Sequence, residues 1–100
     1  MKIKINAVPE QTIEEFADEH NLTMIVNERP NSIGRSGRYY AHFEGAELSD
    51  GMMLIGVYGD GSSPEEAIAN YAPQISEKLI VIDATRPERR EIFAPRIKAS

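Results

Sequence analysis

The segment Gly59-Asp60-Gly61-Ser62-Ser63-Pro64-Glu65-Glu66-Ala67 constrains the fold more than any other stretch. Ser63 is placed to cap a helix, Pro64 suits the first helical position, and Glu66 stands three residues past the cap. Acids at Glu65 and Glu66 favour the positive end of a helix dipole. Ala67, Ile68, Tyr71, Ala72 and Ile75 then recur at helical spacing as an apolar stripe. Pro73 removes a hydrogen bond to Ala69, so it kinks or ends that helix. Gly59, Asp60 and Gly61 read as the turn that closes a preceding strand. The junction is therefore strand, turn, helix.

Upstream, residues 2–6 alternate Ile3 and Ile5 with polar residues, a short amphipathic strand interrupted at Val8-Pro9. Thr12 and Glu15 fit a capping box, and Ile13, Phe16, Ala17 and His20 share helical spacing, which predicts a helix over residues 10–20. Asn21 tolerates the left-handed backbone that stops a helix. Residues 22–29 are rich in β-formers, and residues 30–37 form a turn-rich loop. Tyr39, Ala41 and Phe43 alternate with Tyr40, His42 and Glu44, so the first set faces a core and the second an open face. Asp50-Gly51 signals a hairpin, with residues 52–58 as the returning strand. That strand is apolar on both parities and is expected in the more protected position of the sheet. Residues 79–82 form a short apolar strand. The remainder, residues 86–100, reads as a charged tail anchored by Ile92, Phe93 and Ile97.

The expectation is an α+β fold with an α-β-β-β-α core: a three-strand antiparallel meander packed by two helices, with short extra N- and C-terminal strands. A chain of 100 residues suits a single domain, its core at about 10–82, and buries roughly two-thirds of its unfolded surface. With 41% hydrophobic and 27% charged residues the composition is globular. There is no cysteine, which excludes disulfides, thiolate metal sites and cysteine nucleophiles. No apolar run approaches the ~20 residues of a membrane span, and the N-terminus lacks a signal-peptide core, so a cytoplasmic location and no membrane contact are expected.

The order helix, three strands, Gly-rich turn, Ser cap and Ala-bearing helix resembles the double-stranded RNA-binding domain fold over residues 10–77. That family carries a lysine pair at the start of its last helix to hold phosphates. The matching stretch here is Pro64-Glu65-Glu66, and residues 29–38 lack the family's Gly-Pro-x-His loop. The resemblance thus implies the fold without binding of duplex RNA in the family's manner. The stretch Ser63-Pro64-Glu65-Glu66-Ala67-Ile68 is also similar to HicB-type antitoxin domains, without their DNA-binding extension. The chain as a whole resembles small bacteriophage and prophage proteins.

Charge is distributed in blocks. Residues 29–43 carry Arg29, Arg35 and Arg38 and no acid, residues 44–77 hold seven acids and no base, and residues 78–100 carry a net +3. The basic loop, with Arg86, Arg89, Arg90, Arg96 and Lys98, makes nucleic-acid binding an alternative reading. Opposite blocks meeting between copies would make a homo-oligomer. No cofactor and no metal site are expected, because His20 and His42 lack ligand partners at i+3 or i+4. The pairs Glu14-Glu15, Asp18-Glu19 and Glu65-Glu66 are sequential and diverge around a helix. The turn and cap residues Asp50, Gly51, Gly59, Gly61, Ser63, Pro64 and Glu66 are read as structural. No nucleophile, base and oxyanion set can be assembled, so the chain reads as a non-enzymatic interaction protein. Its expected protein-contact surface is the open face holding Tyr40 and His42.

Overall fold

The computed structural model describes residues 1–4, 10–30 and 37–100. Nine strands and two helices are described: β1 Glu10–Thr12, α1 Ile13–His20, β2 Met24–Glu28, β3 Tyr39–Phe43, β4 Ala46–Asp50, β5 Met53–Ile55, β6 Gly59–Gly61, α2 Pro64–Ile75, β7 Leu79–Ile82, β8 Arg90–Phe93 and β9 Arg96–Lys98. The α+β class expected from the sequence is the class of the structure.

Local chemistry sets the helix ends. Thr12 Oγ1 accepts the Glu15 N–H at 3.1 Å while the Glu15 carboxylate accepts the Thr12 N–H at 3.1 Å. The hydrogen bond from the Thr12 N–H, and after it the Thr12 side chain, hold the Glu15 carboxyl below its ordinary pKa. Asn21 closes α1 at φ 53° and ψ 52°, the left-handed region. The first three residues of the expected helix are nonetheless strand β1, because residues 10–12 pair in parallel with β9 at the other end of the chain. Residues 2–4 form no strand, and Ile5, Asn6, Val8 and Pro9 lie outside the described residues.

Three sheets result. β2, β3 and β6 form an antiparallel sheet in that order, β5-β4-β7-β8 form a four-stranded one, and β1 pairs β9. The Gly59-Asp60-Gly61 segment is thus a strand and not a turn: Gly59 pairs Ala41 and Gly61 pairs Tyr39. It lies against α2 so closely that an added Cβ at Gly59 would meet the Ala67 carbonyl at 2.2 Å, and one at Gly61 the Ala67 nitrogen at 2.4 Å. Only glycine permits that approach.

The Asp50-Gly51 hairpin forms, with Gly51 at φ +64°, but it joins β5 to β4 rather than to β3. A second turn, at Gly45 with φ +72°, moves the chain from one sheet to the other after β3. The strand expected over residues 52–58 is reduced to β5, at the edge of its sheet and exposed along its length. Apolar residues on both parities indicate a doubly covered strand only when neighbours exist on both sides, and among the described residues β5 has one.

The core joins α1, α2 and both larger sheets through Ile13, Phe16, Phe43, Leu48, Tyr71, Ile75, Ile80, Ile82, Ile92 and Ile97. The expected charged tail is tied into it by β8 and β9. Ser76 Oγ, at the end of α2, accepts the Ile97 N–H at 2.5 Å and donates to the Ile97 carbonyl at 3.3 Å. Ile92 and Ile97 are buried, whereas Phe93, expected as an anchor, is 70% exposed because its parity in β8 turns it away from the core. Pro73 sits in the last turn of α2, which ends two residues later.

Candidate functional site

The alternation in β3 divides the β2-β3-β6 sheet into two faces. Ala41 and Phe43 are fully buried toward α2. Tyr40 and His42 stand on the opposite face, which neither described helix covers, together with their register partners Asn27, Ile25 and Asp60. Their rings lie 6.3 Å apart at 17°, an offset stack. Tyr58, immediately before β6, places its ring 5.5 Å from Tyr40.

Arg29 enters this face from the end of β2. Its guanidinium lies 4.6 Å from the Tyr40 ring centroid and 5.9 Å from that of Tyr58. Its Nη1 donates to Asp60 Oδ1 at 2.6 Å and also to the Gly37 carbonyl. A cation over an aromatic face gains quadrupole attraction. The guanidinium therefore bridges three elements, and Tyr40 is packed from three sides by Arg29, Tyr58 and His42.

The other sequence-derived cations do not join this cluster. Arg38 forks onto Glu28 Oε1 at 3.0 and 2.6 Å and lies 5.5 Å from the Tyr39 ring, on the α2 side of the sheet register. Arg35 lies outside the described residues. Arg90 opens β8 of the other large sheet and Arg89 immediately precedes it: Arg89 donates to Glu91 at 3.0 Å, and Arg90 donates to the His20 carbonyl at 2.6 Å. Arg90 and Arg86 help line a cleft of about 410 Å³ whose walls also carry Glu44 and Asp83. Lys98 pairs with Glu10 at 3.4 Å. Arg29, Arg38 and Lys98 of the basic blocks are thus paired with acids from other strands, and Arg89 with an acid of its own segment.

At the start of α2, Ser63 Oγ accepts the Glu66 N–H at 3.2 Å and Pro64 occupies the first turn. The Glu66 carboxylate accepts from the Ser62 N–H and hydroxyl, at 3.3 and 3.0 Å, rather than closing a capping box on Ser63. Among the described residues, no group of three His, Asp or Glu could hold a metal ion. Among the same residues, no helix is long and apolar enough to cross a membrane.

Sequence reasoning placed Tyr40 and His42 on one face by parity. Asp60 and Tyr58 join them only because residues 59–61 pair with β3, and no local pattern announces that pairing.

No family model matches the chain, and no solved structure matches it. The chain is similar to the (R)-1-hydroxy-2-aminoethylphosphonate ammonia-lyase of Vibrio splendidus (strain 12B01), 33% identical in an alignment of 70 positions that covers 64% of this chain. It spans only 14% of that enzyme's length, so the similarity places this chain in no family and carries no activity across to it.

Proposed function

We propose that this domain is a non-enzymatic protein-binding module whose contact surface is the open face of the β2-β3-β6 sheet, centred on Tyr40. The observation that carries this is the clamp on Arg29, held over Tyr40 and Tyr58 and bonded to Asp60. Arginine and tyrosine dominate the energetics of protein contacts, and side chains already ordered in the free protein lose less entropy on binding. The pairing of Arg29 with Asp60 and Arg38 with Glu28 supports a protein partner over a polyanion, since phosphate would have to displace a carboxylate at each. An antitoxin-like role is the special case in which the partner is a toxin. A phage or prophage setting accords with the same reading.

The test compares wild type with Tyr58→Ala and Tyr40→Ala, each shown to be folded by circular dichroism, as baits in host lysate. A partner captured by wild type and then purified should bind each variant about tenfold more weakly or worse. Equal binding by all three baits would move the contact surface elsewhere on the molecule.

Duplex RNA is not the expected ligand. Glu65 and Glu66 are exposed at the start of α2, where the double-stranded RNA-binding domain that the sequence resembles presents cations. A mobility-shift titration with a duplex of ~20 base pairs should show no saturable binding at low micromolar protein. Saturable binding that is lost in Arg38→Ala would overturn this, and Glu65→Lys/Glu66→Lys should move the protein toward binding.

A further inference from the structure

We infer that β5 is the edge through which two copies of this chain pair, antiparallel and about a two-fold axis centred on Leu54. Across the four-stranded sheet, register places Ile92, Ile80, Leu48 and Ile55 in one row. Their exposures are 9, 0, 9 and 39%, so a row of the core layer ends in solvent at Ile55. Its neighbours Met52, Met53 and Leu54 are exposed as well. Residues 51–59 contain no charged residue and no proline. Those are the devices by which sheet edges are ordinarily kept from pairing.

The backbone geometry of an edge asks for a strand, and a second β5 supplies one that matches. With Leu54 on the axis, Leu54 faces its own copy, and Ile55 faces Met53 of the second copy. The row Ile92-Ile80-Leu48-Ile55 then continues into an apolar residue. Asp50, the register partner of Met53, falls at the far end of that row, so the two copies' Asp50 carboxylates do not face each other. The contact is isologous and closes on itself. Pairing of β5 with β8 of another copy, which would join the acidic and basic sequence blocks, is head-to-tail and does not end at two copies. The two edges lie at opposite ends of one sheet.

A contact of this kind is at the small end of specific interfaces, so sedimentation velocity should show monomer passing to dimer between about 10 and 500 µM. Leu54→Lys and Leu54→Glu each place like charges directly opposite in place of an apolar pair, and each should weaken the dimer by about 30-fold or more. Leu54 is at the sheet edge and part-exposed, so both variants should keep the wild-type circular dichroism spectrum. An equimolar mixture of the two should restore a dimer, because only a two-fold register brings residue 54 of one copy against residue 54 of the other. A wild type that stays monomeric at the highest concentration overturns the inference. So does a folded Leu54→Lys that still dimerises, or a mixture that stays monomeric. Growth into species larger than a dimer would instead assign the edge to the head-to-tail arrangement.

Discussion

Gly59→Ala is expected to leave the chain largely unfolded at room temperature. The new Cβ would lie 2.2 Å from the Ala67 carbonyl oxygen, 2.2 Å from the Tyr71 nitrogen and 2.7 Å from the Asn70 carbonyl carbon. These are backbone atoms of a hydrogen-bonded helix, so no side-chain rotation relieves the clash. Relief requires α2 to lift away from β6, which uncovers Tyr71, Ala72 and Ala41, all buried. Overpacking against movable side chains costs about 1–3 kcal/mol, and against fixed backbone the cost should reach about 4 kcal/mol or more. That is most of the ~5–15 kcal/mol by which domains of this size are folded. Gly51→Ala is the control: Gly51 has φ +64° and nothing within 4 Å of an added Cβ, so only the left-handed backbone penalises it, by about 1–2 kcal/mol. Urea denaturation followed by circular dichroism measures both. A Gly59→Ala midpoint close to wild type would show that β6 and α2 are not in contact as described.

Phe43→Ala is expected to cost about 3–5 kcal/mol, through the cavity left in a core that cannot fully collapse. Phe43 is fully buried, 6.1 Å from Phe16 and 5.5 Å from Tyr71 at an edge-on 77°. Its backbone adds a second dependence. The Glu44 N–H goes to Thr23 on the β2 side, so the Phe43 N–H points to the β6 side, where the ladder has already ended at Ala41. Tyr71 Oη supplies the missing acceptor at 3.2 Å. Burial raises the pKa of this hydroxyl, which keeps it protonated. Tyr71→Phe should therefore cost about 1–3 kcal/mol for an unsatisfied buried N–H. The double variant should be less destabilised than the sum, because both substitutions loosen one contact. Denaturant midpoints of the two single variants and the double variant check this. Strict additivity would mean that the ring and the hydrogen bond act independently.

Local chemistry alone was enough for the helix caps, the Asp50-Gly51 turn and the two-faced character of β3. A cap is a hydrogen bond between residues three apart, a hairpin turn needs one residue with positive φ, and alternation is read within five residues. These are therefore legible in Thr12 and Glu15, Asn21, Ser63 and Pro64, Gly51, and residues 39–43. Membership of a sheet is different, because it depends on a partner far along the chain. β1 became a strand through β9, at the opposite end of the sequence, although the range read for the first helix began at residue 10. Residues 59–61 became a strand because their missing side chains let the backbone of α2 come close, a role indistinguishable in sequence from that of a turn. Distant pairing set Tyr58 and Asp60 beside Tyr40 and Arg29, and it put Asp60, Glu28 and Glu10 beside Arg29, Arg38 and Lys98 of the basic blocks. Charge and periodicity along a chain are sums over neighbours in sequence. Which side chains meet across a sheet, and which edge is left bare, depends on the cooperative choice of strand partners, and only the tertiary structure decides that.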